Sequence, residues 1–156
     1  MRSRTLFLLL VFSFLFAGCG GQKGDYFAPF RGQYEAQIEG EWMGIPFSGC
    51  LVRTENSRTL TFYAPQTLAD TVLLCEGEGA LFLTVAGLRV PLEGDRAAGF
   101  AALLGLFPET GEIKEITREK DGICLNGVGF SLKFAPDGTP LAASNATAQV
   151  RVKRWG

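Results

Sequence analysis

Short runs in which apolar and polar residues alternate recur through most of this 156-residue chain and limit the folds it can adopt. In the clearest run, Phe130, Leu132 and Phe134 alternate with Ser131 and Lys133. Because successive side chains of a strand point to opposite faces, this period of two is typical of half-buried antiparallel strands. The runs that predict strands are residues 33–40, 58–63, 71–75, 80–85, 129–134 and 149–155.

Turn residues separate several of these runs. Glu76–Gly79, Lys120–Gly122 and Pro136–Gly138 each place glycine next to an acidic residue. Such pairs tolerate the positive φ angles that tight hairpins need. The sequence therefore predicts a meander of neighbouring strands that forms a sheet or a barrel.

Residues 95–107 have helical spacing instead. Asp95 is a candidate N-cap for this helix, and Pro108 is a candidate stop. An apolar stripe follows the helix and consists of Phe100, Leu103, Leu104 and Phe107. The stripe is explained either by plain packing of the helix on the sheet or by a lid over an apolar cavity. The predicted fold is mainly β with one principal helix, an α+β class.

Composition excludes several kinds of function. The chain has no histidine, so it lacks the commonest general base and the commonest metal ligand. Thirteen basic and sixteen acidic residues follow Cys19, a net charge of −3 that argues against a nucleic-acid partner. Neither a catalytic triad nor a metal-ligand motif is present in the sequence, and the carboxylates at Glu35, Glu39 and Glu41 are predicted to share a solvated sheet face. We therefore expect no enzyme activity, no metal site and no bound cofactor.

Three cysteines, Cys50, Cys75 and Cys124, lie in apolar, strand-like runs after position 19. Their spacing matches no zinc motif, and an odd number cannot all pair within one chain. Buried free thiols are favoured because cysteine behaves as a small apolar residue. A disulfide between two of the three remains an alternative.

The N-terminus has the features of an export signal. Arg2 and Arg4 precede an apolar run, residues 6–17, which is too short to span a bilayer core of about 30 Å. The run ends in Leu15-Phe16-Ala17-Gly18-Cys19, which resembles the lipobox of bacterial lipoprotein signal peptides. The resemblance implies a signal peptide at residues 1–18, a diacylglyceryl lipid on Cys19, and a protein anchored to the extracytoplasmic face of a bacterial cell membrane. Residues 19–29 would then be the lipidated N-terminus and a flexible tether.

Two short stretches resemble the half-barrel lipoprotein carriers of the LolA/LolB type. These are residues 61–68 (TFYAPQTL), at a strand exit, and residues 135–140 (APDGTP), at a late turn. For residues 30–156 the resemblance implies a strongly curved antiparallel sheet or open half-barrel with a helix packed on its concave side. It also implies an apolar cavity, for which the predicted lining residues are Leu60, Phe62, Phe82, Phe100, Leu104, Phe130 and Phe134.

The sequence thus leads to two hypotheses about function. The first is an envelope lipoprotein, attached to the membrane by its lipid, that binds a lipid, an acyl chain or another hydrophobic ligand in this cavity. The second is a ligand-free module on the same scaffold that contacts an envelope protein or senses envelope state. In that case Trp42 and residues 45–47 would form an aromatic contact site, although Trp42 also fits a core position.

Overall fold

The computed structural model of the chain describes residues 24–77 and 79–156, with the side chain of Arg96 left undescribed. The signal peptide predicted at residues 1–18 and the lipidation site predicted at Cys19 lie outside the described residues. Within the segment predicted as a tether, Phe27 is buried and its ring packs edge-on against Phe130, 5.8 Å away. The packed part of the chain therefore includes the last residues of that segment.

Eleven strands and two helices make up the described chain. Helix α1 covers Ala28–Arg31 and helix α2 covers Gly94–Leu104. Neither helix is long and apolar enough to cross a membrane. The strands are β1 Tyr34–Trp42, β2 Ile45–Arg53, β3 Ser57–Ala64, β4 Val72–Glu76, β5 Ala80–Val85, β6 Leu88–Leu92, β7 Ile113–Glu119, β8 Gly122–Gly127, β9 Phe130–Phe134, β10 Pro140–Asn145 and β11 Ala148–Trp155.

All eleven strands form one antiparallel sheet that does not close into a barrel. The strand order is β6-β5-β4-β3-β2-β1-β11-β10-β9-β8-β7, so β6 and β7 are the two edges. The N-terminal strand β1 lies near the middle and pairs with β2 on one side and with the C-terminal strand β11 on the other. Helix α2 lies between the two edge strands in the sequence, and it contacts β3 and β4. The prediction of a mainly β, antiparallel meander with one principal helix is confirmed.

The bounds of the principal helix differ from the sequence prediction. Asp95 is not the N-cap, because the helix starts at Gly94 and Asp95 lies in its first turn. The helix ends at Leu104, before the predicted stop at Pro108, and the Gly105 N–H caps it by donating to the Ala101 carbonyl at 2.9 Å. After Gly105, Leu106 and Phe107 are fully buried in the core, which they reach because the chain is no longer helical there.

One face of the sheet carries the hydrophobic core. Ala36 on β1 pairs with Leu51 on β2, and Leu51 pairs in turn with Leu60 on β3, and all three are fully buried. Leu103 and Leu104 of α2 belong to the same buried cluster. The amphipathic strands and the apolar stripe of the helix therefore bury their apolar surfaces against each other.

An aromatic cluster joins distant parts of the chain at one end of this core. Phe30 of α1 stacks on Phe107, which follows α2, with ring centroids 5.3 Å apart. Tyr34 at the start of β1 stacks on Trp155 at the end of β11, with a centroid distance of 4.6 Å. Because Phe107 also contacts Trp155 edge-on, the cluster ties helix α1 and strands β1 and β11 to the segment that follows helix α2.

A carboxylate fastens that segment to the sheet. Glu109 forms ion pairs with Arg53 of β2, at 3.0 Å, and with Arg58 of β3. The side chain of Arg53 is only 13% exposed and also donates to the Phe30 carbonyl. The Glu109 carbonyl accepts a hydrogen bond from Arg31 at 3.1 Å, so this residue connects α1, β2 and β3.

The three cysteines within the described residues are free thiols. Cys50 is buried, whereas Cys75 and Cys124 are half-buried. Burial raises the pKa of the Cys50 thiol, and the neighbouring Glu35 carboxylate raises it further. All three thiols are free, as predicted, but only Cys50 is buried as expected, and its neutral thiol is an unreactive, space-filling group.

Candidate functional site

An apolar pocket of about 330 Å³ lies where the end of β1 meets helix α2. Its lining residues are Trp42, Met43, Asp95, Gly99 and Phe100. Two aromatic rings and a thioether face a helical glycine, and one carboxylate is the single charged group among them. This volume is at the lower end of the range of small-molecule sites.

The sequence patterns of β1 and α2 explain how the aromatic walls meet. Alternation along β1 places Trp42 on the same face as the buried Ala36 and Ile38. Phe100 belongs to the apolar stripe of α2, which packs against the core on this face of the sheet. The Trp42 and Phe100 rings have centroids 4.8 Å apart and planes inclined at 43°. The pocket is therefore built from one strand end and one helix face, both fixed by core packing.

A tight turn positions the third wall. Met43 and Gly44 join β1 to β2, with φ angles of 51° and 81°. Positive φ at both central residues is the geometry that matches the twist of a two-residue hairpin. The turn holds Met43 beyond the sheet with 67% of its surface exposed, and the next residue on β2, Ile45, is 47% exposed. Apolar surface thus continues from the pocket to the tip of the hairpin.

Gly99 leaves space inside the pocket. A Cβ added to Gly99 would lie 3.7 Å from the Met43 sulfur and 4.0 Å from Cζ2 of Trp42, both ordinary contact distances. An alanine would therefore fit here, and it would favour the helix by roughly 0.5–1 kcal/mol relative to glycine. Glycine at this position enlarges the pocket at some cost to the helix.

Six of the seven residues predicted to line a cavity share the core side of the sheet. Four are almost fully buried in the close-packed cluster, and two are partly buried against it. Of the six, Phe100 lines the apolar pocket and Phe134 lines a smaller one of about 150 Å³ near the start of the described chain. The four buried residues are Leu60, Phe62, Leu104 and Phe134, and the two others are Phe100 and Phe130.

Phe82 is not brought together with the other six. On β5 it pairs with Leu74, whereas its neighbour Leu83 pairs with the fully buried Leu73. Phe82 is therefore on the opposite face of the sheet, where the Arg89 guanidinium lies 3.7 Å from the centroid of its ring. An apolar run of the type ALFLTV conceals which residues point inward, because both faces carry apolar side chains.

The opposite face of the sheet carries a groove of about 690 Å³. Glu39 and Glu41 of β1 line it with Arg151 of β11. Glu39 is ion-paired with Lys153 at 2.5 Å. The expected placement of the β1 carboxylates on one solvated face is confirmed. Because charged side chains of both signs line this groove, the apolar pocket is the better candidate for a hydrophobic ligand.

Sequence reasoning identified parts of the candidate site without assembling them. The sequence predicts Trp42 either in a contact site or in the core, and the structure makes it half-buried, with one side in the pocket. Phe47, from the same predicted contact site, is buried against Phe62. The contribution of Met43 and Gly99 was missed. A glycine in an otherwise apolar helix was the available signal, since it exposes backbone where a side chain would pack.

The described domain is an open antiparallel sheet with a helix packed on it, and similar sheets occur among solved structures. A crystal structure of an uncharacterised conserved protein from Thermus thermophilus has a TM-score of 0.54 at 10% identity, over 85% of this chain and 82% of that one. This likeness establishes a shared fold. The sequence itself matches no protein-family model and no curated protein.

Two further solved structures show a weaker similarity to this chain. A LolA superfamily protein from Nitrosomonas europaea has a TM-score of 0.41 at 9% identity, over 80% of this chain and 86% of that one. A putative outer membrane lipoprotein-sorting protein domain from Vibrio parahaemolyticus has a TM-score of 0.42 at 9% identity, over 86% and 92%. The lipobox stays a prediction.

Proposed function

We propose that this protein is a non-catalytic, membrane-anchored lipoprotein of the bacterial cell envelope that binds a hydrophobic ligand in the pocket between β1 and α2. The observation that carries the ligand-binding part is the pocket itself. Trp42, Met43 and Phe100 present apolar surface to it, and Gly99 leaves its interior unfilled. Concave apolar sites with few polar groups are the usual form of small-molecule sites.

The proposed ligand site differs from the cavity expected from the sequence. Leu60, Phe62 and Leu104 fill the space beneath the helix with close-packed side chains. Ligand entry there would require the helix to move, whereas the pocket at the end of β1 is already open. We place the helix on the concave side of the curved sheet, with the pocket at the margin of the covered area.

The anchoring part of the proposal depends on the lipobox resemblance. Four residues lie between Cys19 and Gly24, where the described chain begins. A diacyl lipid gives stable attachment because each buried methylene contributes about 0.8 kcal/mol. The folded domain would therefore remain close to the membrane surface, where acyl ligands are concentrated.

Binding of decan-1-ol, a neutral amphiphile, tests the ligand-binding part. The protein has two tryptophans, so the indole N–H signals of ¹⁵N-labelled protein report on Trp42 in the pocket and on Trp155 in the aromatic cluster. We expect saturable shifts of the Trp42 signal and little change at Trp155. Gly99→Leu, which fills the pocket, should abolish the shift. Ala98→Leu, at an exposed position on the same helix, should leave it intact.

The alternative function, a ligand-free contact module, is supported by the exposed apolar surface of Met43 and Ile45 beside the pocket. Native mass spectrometry of protein purified mildly from membranes separates the two hypotheses. Co-purified acyl species that Gly99→Leu eliminates would support ligand binding. A ligand-free wild-type protein that also ignores decan-1-ol would overturn it and favour the contact module.

A further inference from the structure

The apolar pocket carries one negative charge at its edge. Asp95 lines it from the first turn of α2 and is exposed to solvent. A carboxylate in a first helical turn is stabilised by the helix dipole, which alone would explain its position. Because Asp95 also lies at the mouth of an aromatic pocket, its carboxylate can attract a cationic ligand to that pocket.

The aromatic walls favour the same sign of charge in a ligand. The π-faces of tryptophan and phenylalanine are electron-rich and attract cations that lie within about 6 Å of the ring centroid. Trp42 and Phe100 are inclined at 43° to each other, and the Met43 thioether, which is soft and polarizable, lies next to them. Two rings and a carboxylate around one cavity match the chemistry of an alkylated ammonium group.

The pocket discriminates between kinds of cation. A primary ammonium keeps three strong N–H donors, and Asp95 is the one charged acceptor among the lining side chains. Burying such donors without partners is costly. A trimethylammonium group has no donors, presents methyl groups to the apolar walls and still carries the charge that Asp95 and the rings attract. Gly99 leaves room for one methyl-sized group between the helix and the Met43 and Trp42 side chains.

We propose that the pocket formed by Trp42, Met43, Asp95, Gly99 and Phe100 binds a methylated ammonium group, either as a small cation or as the head of an amphiphile. This inference rests on the proposed ligand-binding function and names the chemistry of the ligand. Met43 and Ile45, exposed beside the pocket, would contact the chain of an amphiphile.

Choline and its neutral isostere 3,3-dimethylbutan-1-ol provide the test, because they differ in the charge of otherwise similar heads. Titrated against the full folded domain, choline should shift the Trp42 indole N–H signal with an affinity at least about fivefold higher than the isostere, as expected for a cation–π contact and a nearby carboxylate. Asp95→Asn should weaken choline severalfold and leave the isostere unchanged. Glu93→Gln, which neutralises an exposed carboxylate just before the helix, is the matched control.

Binding of dodecyltrimethylammonium, below its critical micelle concentration, shows whether the methylated ammonium group belongs to a small cation or to an amphiphile. Tighter binding than choline would indicate an amphiphile, and equal binding a small cation. Equal affinity for choline and its isostere in wild-type protein would overturn the ammonium inference, and so would a choline affinity that Asp95→Asn does not change. If decan-1-ol still binds in that case, the proposed function stands. If neither choline nor decan-1-ol shifts the Trp42 signal, both proposals fail.

Discussion

Tyr34 shows how a single buried hydroxyl influences this fold. Its ring is part of the aromatic cluster with Trp155 and Phe107, and 5% of the residue is exposed. Among the described residues, no hydrogen-bond partner reaches its hydroxyl group. Burial disfavours the phenolate and raises the pKa of Tyr34 to about 12, although the nearby Arg58 and Arg53 lower it.

Tyr34→Phe should therefore change stability with a definite pH dependence. At pH 7 we expect unchanged or slightly higher stability, by up to about 1 kcal/mol, because the variant removes an unpaired polar group. Above pH 10 the unfolded chain ionises at this tyrosine before the folded protein does, so wild-type stability falls as pH rises toward 12. This loss amounts to at most about 3 kcal/mol, and the variant lacks it.

Urea unfolding of both proteins from pH 7 to 11.5 measures this difference. The free energy of unfolding of wild-type protein should fall relative to that of Tyr34→Phe only in the upper part of the range. Parallel curves throughout, or a variant destabilised by several kcal/mol at pH 7, would show that the hydroxyl has a partner.

The segment between α2 and β7 illustrates how one element depends on a few contacts. It contributes Leu106 and Phe107 to the core, and Glu109 fixes it to β2 and β3 through Arg53 and Arg58. By contrast, the ion pair of Glu76 with Arg89, at 2.5 Å, lies between side chains that are almost half exposed. Burial, and not ion-pair distance, should determine which of these contacts stabilises the fold.

We expect Glu109→Gln to lower the free energy of unfolding by about 1–3 kcal/mol, because Arg53 would keep its charge in a largely buried position without a counter-charge. Glu76→Gln is the matched control and should cost less than about 1 kcal/mol, since exposed pairs are well screened. Chemical denaturation at low salt gives both values. Equal costs for the two substitutions would contradict the argument.

At the scale of the whole molecule, the sheet brings the two ends of the described chain together. Strands β1 and β11 pair, and Tyr34 lies against Trp155. The proposed anchor at Cys19 would therefore join the domain beside its C-terminal strand. The pocket at Trp42 lies at the far end of β1, eight residues from Tyr34, which corresponds to roughly 27 Å of strand.

Labelled palmitate tests the anchor. In a bacterial host, wild-type protein should incorporate the label and fractionate with membranes, and Cys19→Ser should do neither. Cys124→Ser is the control, because it removes a half-buried thiol inside the fold and should leave labelling unchanged. Failure of the wild-type protein to incorporate label, or equal incorporation by Cys19→Ser, would contradict the proposed anchor.

The limits of sequence prediction are visible in particular strands. Clean alternation located β1, β3, β9 and β11, since each buries one face only. Strand β6 was missed because Pro91 interrupts its pattern, and proline is tolerated there because β6 is an edge strand. Strand β2 was missed in part because Pro46 and Gly49 weaken its signal. The face of Phe82 was not predictable from a run that is apolar on both sides.

By itself, the sequence determined that the domain is a meander of antiparallel strands with one apolar helix, because periodicity and turn chemistry act between residues close in the chain. The tertiary structure decided which strands are neighbours, where the helix ends and how the site is assembled. Trp42 and Phe100 are 58 positions apart and meet only because the fold packs α2 on the face of the sheet to which Trp42 belongs. Such contacts depend on packing over long sequence separations, which local patterns do not encode.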